Sequence, residues 1–310
     1  MPILPLNEDI LPLSDDYIFK AVMSHPDAEL ALMDLISACI NRTVNSVQIR
    51  NNELPVTDTE EKNERLDLNC VIDDGSQVDV EMNASYIASL DGGHKGFMNK
   101  TVYYLTDLHS SQKSKGVKYN DFVRTYQITF SAHNIFNWPE YITEASLRIK
   151  SGYQLSDQIQ IMFIELAKMS DILKKPVDQM TLFEMWSVFI GYADNPKHRL
   201  LINELLEKKE AIGMAGTVLT AISKDEKERA HLRSRRMYES DIISNRLTYM
   251  ELGRREGIEI GKEQGIEIGI EKGIEKGTID MVKKLKNSSI MSFEQISHIS
   301  GLTLEEIEAL

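Results

Sequence analysis

Residues 65–83, RLDLNCVIDDGSQVDVEMN, decide how the first part of this chain folds. Apolar and polar residues alternate on both sides of Asp73-Asp74-Gly75, which is the pattern of two β-strands joined by a tight turn. Because successive side chains of a strand point to opposite faces, the apolar residues share one face. The other face carries Asp67, Asp79, Glu81 and Asn83. A half-buried hairpin thus gathers carboxylates where packing is expected.

The register of this hairpin follows from the alternation of side chains along its two strands. The two apolar faces coincide only if the loop has an odd number of residues, and a three-residue loop ending at Gly75 fits, because glycine suits the positive φ after a type I turn. Ile72 then pairs with Ser76, and Asp67 lies opposite Glu81. Neighbouring carboxylates repel unless a positive charge lies between them, so we expect either a divalent cation such as Mg²⁺ or a solvated polar face without a ligand.

Composition excludes several classes of protein. The 310 residues contain no apolar run long enough to span a bilayer, and the N-terminus lacks the basic stretch of a secretory signal. Cys39 and Cys70 are the only cysteines and form no CxxC pair, so we expect a cytoplasmic protein in a reducing compartment, with buried thiols and no structural zinc. Four histidines show no metal-binding spacing: His25, His94, His109 and His133.

The net charge is −13, and it is unevenly distributed. Residues 1–140 hold 11 Lys and Arg against 21 Asp and Glu, whereas residues 223–256 hold 9 basic against 7 acidic side chains. A nucleic-acid-binding protein usually carries a basic footprint, which this chain lacks as a whole. It therefore either does not bind nucleic acid or binds it locally, with metal ions offsetting its carboxylates.

The order of elements predicts a mixed α/β core with a helical extension. Helical and strand-like spacing alternate up to about residue 170, with a helix break near Pro26, and helical spacing dominates afterwards. We expect a core at 1–170, a helical region at 171–250, a glycine-repeat helix or linker at 251–280 and a C-terminal hairpin at 281–310.

Glycine recurs at every fourth position from Gly253 to Gly277. Each glycine costs a helix about 1 kcal/mol relative to alanine, so an isolated helix here is marginal. A stripe of small residues would also let a second helix approach closely. Two interpretations stay open, a self-associating helix and a flexible repeat linker.

The tail SFEQISHISGLTLEEIEAL predicts two short helices joined at Gly301. Its spacing is similar to that of a helix-turn-helix, but the second helix carries Glu305, Glu306 and Glu308. An acidic helix is unsuited to facing phosphates. A packing or oligomerisation hairpin is the favoured interpretation.

Five motifs in order resemble one known family. DYIFK near the start, RLDL followed by VEMN, KTVYYLTDL, SSQKSKGVKY and the glycine-isoleucine-glutamate repeats with their tail are similar to the Rpn family, the recombination-promoting nucleases or putative transposases of the PD-(D/E)XK nuclease superfamily. The resemblance covers nearly the full chain. It implies a restriction-endonuclease-like α/β fold, with a mixed sheet flanked by helices and an all-helical C-terminal extension.

The resemblance also implies roles for single residues. Asp67 and Glu81 match the metal ligands, for Mg²⁺ or else Mn²⁺ or Ca²⁺, and Asp16 in DYIFK matches an acid that supports metal or water. Asn83 stands where the family usually has glutamine and the superfamily lysine, so it cannot accept a proton as a lysine does. Lys100, or else Lys95, is a candidate for the missing positive charge.

Two further positions complete the candidate site, since Gln112 and Tyr119 match polar positions of SSQKSKGVKY and would contact the substrate backbone. The leading hypothesis is a metal-dependent DNA endonuclease in recombination or defence against foreign DNA. The alternative is a catalytically weakened nuclease fold that binds nucleic acid or a partner and oligomerises through residues 250–310. Met237 and Met250 are candidate internal starts for a short C-terminal form that would bind the full chain.

Overall fold

The computed structural model describes residues 3–50, 68–85, 93–112 and 118–310. The chain divides into two compact units, Met1–Arg236 and Met237–Leu310. Asp67 lies outside the described residues.

The first unit is built on one six-stranded sheet. Its strands are β1 (Val47–Ile49), β2 (Leu68–Ile72), β3 (Gln77–Asn83), β4 (Thr125–Ser131), β5 (Ile142–Arg148) and β6 (Gln154–Glu165). The order across the sheet is β1-β2-β3-β4-β6-β5. The pairs β3/β4 and β4/β6 are parallel and the other pairs are antiparallel. The predicted mixed sheet is therefore confirmed.

The hairpin β2–β3 has the register that its sequence predicts. The amide of Ile72 donates to the carbonyl of Ser76 at 3.0 Å, which closes a three-residue loop. Gly75, at the end of that loop, has φ +83°, which favours glycine. The described register runs to the pair Leu68↔Val80, so the predicted pairing of Asp67 with Glu81 stays a prediction.

Helices cover both faces of the sheet. The first unit contains α1 (Asp16–Met23), α2 (Glu29–Ile40), α3 (Gly93–Ser110), α4 (Leu182–Tyr192), α5 (Arg199–Lys208), α6 (Glu210–Lys224) and the start of α7 (Glu226–Ser288). A turn of 3₁₀-helix at Pro26–Ala28 separates α1 from α2, which confirms the predicted break, because proline lacks the N–H that a continuing helix needs.

The main core lies between the apolar sheet face and helices α1, α2 and α4–α6. Phe19 of α1 packs near Phe130 of β4, with ring centroids 6.1 Å apart. Trp186 of α4 is fully buried, and its indole N–H donates to Asp34 at 2.8 Å, which satisfies the polar edge of the ring. Cys39 and Cys70 are both free and buried, as expected, and burial raises the pKa of each thiol.

The glycine repeat forms part of a continuous helix. Helix α7 runs for 63 residues through every glycine of the stripe, so the segment is helical, and its self-association stays a prediction. A Cβ placed on Gly265 or on Gly269 meets no heavy atom of the described chain within 4 Å. Among the described residues, nothing packs closely against these two glycines.

The tail of the second unit is the predicted hairpin. Helices α8 (Phe293–Ser300) and α9 (Leu304–Ala309) are joined at Gly301, which has φ +75°. Each begins with a capping box, and together with the end of α7 they bury a small cluster of Val282, Ile296 and Ile307. Among the described residues, no helix is both long and apolar enough to cross a bilayer.

Candidate functional site

The polar face of the central strands forms a buried layer of hydrogen-bonding side chains beneath α3. In the parallel register of β3 and β4, Gln77 lies beside Thr125, Asp79 beside Gln127, Glu81 beside Thr129 and Asn83 beside Ser131. All four β4 members are buried, and on β3 burial falls from Gln77 and Asp79 to the half-buried Glu81 and Asn83. The layer therefore meets solvent at the Glu81–Asn83 end.

Asp79 lies deepest in this layer. Its carboxylate is fully buried, and Oδ2 accepts a hydrogen bond from Gln127 Nε2 at 2.7 Å. Together with burial, this charge helps to raise the pKa of the Cys70 thiol to about 12. Sequence alternation placed Asp79 on the polar face but did not find its role, because its partner Gln127 lies 48 residues away. The Asp79 side chain lies two residues before Glu81 on the same face of β3.

The Asn83 amide has a defined orientation. Its Nδ2 donates to the carbonyl of Ser85 at 3.1 Å and to Ser131 Oγ at 3.3 Å, and Ser131 Oγ in turn donates to the carbonyl of His133 at 2.8 Å. Because a carbonyl only accepts hydrogen bonds, the atom that faces Ser85 must be the nitrogen. The side-chain oxygen of Asn83 is then the atom that remains to face a water or a cation.

Helix α3 runs antiparallel to β4 over this layer. Near its start, His94 Nε2 lies 2.9 Å from the carbonyl of Ile135, just beyond the end of β4. At its end, His109 Nδ1 lies 2.8 Å from Thr125 Oγ1, at the start of β4, and burial lowers the pKa of His109. The N-terminal end of α3, which carries the positive end of the helix dipole, therefore lies at the same edge of the sheet as Glu81 and Asn83.

The candidate lysines lie on the exposed side of α3. Lys95 and Lys100 are both exposed, and the Lys100 ammonium lies 4.9 Å from the centroid of the Tyr104 ring, one helical turn further on. A cation over an aromatic face is held there weakly at an exposed site.

Asp16 lies in a cluster of charges between the first turn of α1 and the third turn of α7. Its Oδ2 accepts from Arg235 at 2.9 Å, and the Arg235 guanidinium lies over the Tyr17 ring at 5.3 Å. Asp15 caps α1, and burial together with the neighbouring Asp16 raises its pKa despite Arg236 and Arg235. The Asp16 carboxylate is thus engaged in an ion pair that ties α1 to α7.

Gln112 and Tyr119 lie at the other end of β4 from Asn83. Gln112 donates to the carbonyl of Val123 at 3.0 Å and accepts from its amide at 2.9 Å, and it also bonds Thr125 Oγ1. Thr125 and Ser131 are the first and last residues of β4, which places them roughly 20 Å apart along the strand. Tyr119 is 89% exposed. The structure brings Glu81 and Asn83 together and places these two positions elsewhere.

Comparison with known proteins decides the family. The model of the PD-(D/E)XK nuclease family transposases matches residues 13–247. The chain belongs to this family. No curated protein and no solved structure matches the chain. Membership in the PD-(D/E)XK family confirms the predicted relationship and supports a nuclease or transposase-like function in general, with DNA as the expected class of substrate.

PD-(D/E)XK nucleases generally use divalent metal ions, and the donors at the Glu81 end fit such an ion. The carboxylate of Glu81 is the kind of hard oxygen donor that Mg²⁺ or Ca²⁺ prefers. Within the described ranges no group of three or more His, Cys, Asp or Glu side chains converges, and the predicted ligand Asp67 lies outside those ranges.

We expect the change Gln112→Ala to lower the free energy of unfolding by about 1–2 kcal/mol, because it leaves both backbone groups of Val123 without their side-chain partner. The measurement is the urea midpoint. Tyr119→Ala is the control and should stay within about 0.5 kcal/mol of the parent chain. A Gln112→Ala protein that keeps full stability but loses DNA binding would contradict this structural role.

Proposed function

We propose that this protein is a metal-dependent DNA endonuclease that hydrolyses phosphodiester bonds in recombination or in defence against foreign DNA. The observation that carries the proposal is the position of Glu81 and Asn83, two residues apart on the polar face of β3 at the solvent end of a buried polar layer, in a chain of a nuclease family. We assign Asp67 and Glu81 as ligands of Mg²⁺, with Mn²⁺ or Ca²⁺ as alternatives. When bound, the ion polarises the phosphodiester and lowers the pKa of the attacking water.

Asn83 would orient the attacking water. The oxygen of Asn83, oriented by Ser85 and Ser131, accepts a hydrogen bond from the attacking water and aims it at phosphorus. An amide is not basic at neutral pH, so Asn83 positions the water but does not take its proton. That proton passes to solvent at the exposed end of the layer, and the leaving oxygen takes a proton from the same solvent.

The first test is cleavage of supercoiled plasmid. With Mg²⁺ or Mn²⁺ we expect nicking, and we expect Asp67→Asn and Glu81→Gln each to slow it at least roughly 100-fold, because each removes a charged ligand from the ion. Glu204→Gln, which removes an exposed carboxylate on α5, is the matched control and should nick at the parent rate.

The outcomes separate this proposal from the alternative. A weakened nuclease fold would shift DNA in a gel with a salt-dependent affinity but would leave the plasmid intact. Nicking that survives in both Asp67→Asn and Glu81→Gln would show that the reaction belongs to another site or to a contaminant.

Asn83 decides how active the site is. We expect Asn83→Gln, which restores the residue usual in the family, to nick at least as fast as the parent, and Asn83→Ala to nick about tenfold more slowly, since the water loses one oriented acceptor. The measurement is the initial rate at saturating metal. Equal rates for all three proteins would remove Asn83 from the mechanism.

We also propose that residues 250–310 assemble copies of this chain. Along the glycine stripe, α7 exposes a run of large apolar side chains: Ile258, Ile260, Ile266, Ile268, Ile270 and Ile274. Seven helical glycines and an exposed isoleucine surface are both unfavourable in a lone helix, and a second copy that packs along the stripe would offset both.

Met237 is the first residue of the second unit, so a short form of the protein that starts there would contain this whole unit. An immunoblot against a C-terminal tag would distinguish the full-length chain from this short form by mass. A blot that shows only the full-length chain would remove the short form.

The stripe is tested by a pair of double variants. Glutamine is a better helix former than glycine but is too bulky for a close helix contact, so Gly265→Gln with Gly269→Gln should raise the helical content while lowering the assembled mass. Glu267→Gln with Glu271→Gln introduces the same side chain outside the stripe and should leave the mass unchanged. The measurement is light scattering coupled to size exclusion. A mass that is the same for all proteins would exclude the stripe as the contact.

A further inference from the structure

The loop that follows β4 carries a rigid, exposed aromatic pair. The rings of Phe136 and Trp138 stack with centroids 4.2 Å apart and an angle of 10° between their planes. Trp138 is nevertheless 44% exposed, and its indole N–H donates to Thr143 Oγ1 at 2.9 Å, which fixes the ring orientation. Tryptophan is usually mostly buried, so a fixed tryptophan at the surface needs an explanation.

A buried ion pair holds this loop in place. Glu165, the last residue of β6, is fully buried, and its Oε1 accepts from the amides of Ile135 at 2.5 Å and Phe136 at 3.0 Å. Its Oε2 bonds Lys168 Nζ at 2.7 Å, and the same ammonium donates to the carbonyl of Trp138 at 2.6 Å. Burying a carboxylate costs several kcal/mol unless it is paired and hydrogen-bonded. Here the partners of the Glu165 carboxylate are the amides of the loop and the Lys168 ammonium, so its burial holds the aromatic loop in place.

The loop lies beside the candidate nuclease site. Glu165 is the register partner of Ser131, and Ser131 is the partner of Asn83. Neighbouring strands lie about 4.8 Å apart, so Asn83 and Glu165 are separated by roughly 10 Å. Thr143 of β5, which holds the Trp138 indole, lies one strand further, roughly 14 Å from β3 across the sheet. Phe136 follows Ser131 by five residues and is anchored directly to Glu165.

The loop carries little charge of its own. Residues 132–141 contain one carboxylate, Glu140, and no lysine or arginine. His94, at the start of α3, presents its ring edge-on to Phe136 with centroids 5.8 Å apart, at the positive end of the helix dipole. A nucleotide next to the scissile phosphate would therefore meet an aromatic surface with little opposing charge.

We propose that Trp138, supported by Phe136, stacks on an unpaired nucleobase adjacent to the phosphodiester held at Glu81 and Asn83. This inference rests on the proposed endonuclease function and names its substrate class: DNA in which at least one base is unstacked, at an end, a flap or a melted step. Stacking on an aromatic face tolerates every base, so the contact selects strand structure and not sequence.

Tryptophan fluorescence tests the contact directly, because the chain has two tryptophans and the other one, Trp186, is fully buried. The probes are an oligothymidylate and an abasic oligonucleotide of the same length and charge, each titrated without divalent metal. We expect quenching by the oligothymidylate and not by the abasic strand. In Trp138→Phe the quenching should disappear while the affinity, read by fluorescence anisotropy of a labelled strand, stays within about threefold.

The affinity difference supplies the second readout. Trp138→Ala should bind the oligothymidylate about tenfold more weakly and the abasic strand as the parent does, which also shows that the variant is folded. Tyr153→Ala removes an aromatic that is 75% exposed elsewhere in the first unit and should change neither affinity. Equal quenching by both strands, or an equal loss of affinity for both in Trp138→Ala, would overturn the inference. So would a change in assembled mass in Trp138→Ala with unchanged binding of oligothymidylate, since a second copy would then occupy the surface.

Glu81→Gln separates this inference from the proposed function. It should lose plasmid nicking and keep the quenching by oligothymidylate. If the parent chain shows quenching but does not nick plasmid, the stacking surface stands and the nuclease assignment is removed. If the parent chain nicks plasmid but shows no quenching, the nuclease assignment stands and the stacking surface is removed.

Discussion

The central constraint on this structure is that β3 is enclosed on all sides. It pairs with β2 and with β4, α1 packs on its apolar face and α3 lies over its polar face. A strand that is covered on both faces usually reads as continuously apolar. Because β3 alternates instead, its polar side chains form a layer that must satisfy its own hydrogen bonds. Asp79 with Gln127 and Thr125 with His109 and Gln112 meet part of that demand, while the side-chain oxygens of Gln77 and Gln127 are buried without a hydrogen-bond partner among the described residues.

The same constraint locates the site. Where burial ends along β3, Glu81 and Asn83 belong to the polar layer but reach solvent, so they are held by the sheet and remain accessible to a ligand. The N-terminal end of α3 brings the positive end of a helix dipole to the same edge of the sheet.

A loop at this edge is anchored by the sheet itself. Glu165 ends β6 in the same row as Asn83 and Ser131, and its carboxylate accepts hydrogen bonds from the aromatic loop. The second unit depends on a different balance. Helix α7 keeps a regular conformation through a sequence that weakens helices, and it exposes a run of isoleucines.

Local rules of the sequence determined much of this protein. Side-chain alternation and the odd loop ending at Gly75 fixed the hairpin register, Pro26 fixed the break between two helices, and Gly301 fixed the final turn, because each depends on neighbouring residues alone. Glu81 and Asn83 were placed on one strand face by the same parity.

Contacts between distant segments needed the tertiary structure. Sequence similarity linked Asp16 and Gln112 to the site, but their hydrogen-bond partners could not be read from it. In the structure Asp16 accepts from Arg235, Gln112 accepts from the amide of Val123, and Asp79 accepts from Gln127. The parallel register of β3 with β4 sets which side chains are neighbours, and no local pattern encodes it, since the energy that selects it comes from burying surfaces far apart in the chain. The sequence alone left the glycine stripe undecided between a helix and a flexible linker, because its intrinsic helix propensity is marginal. In the structure the stripe is helical.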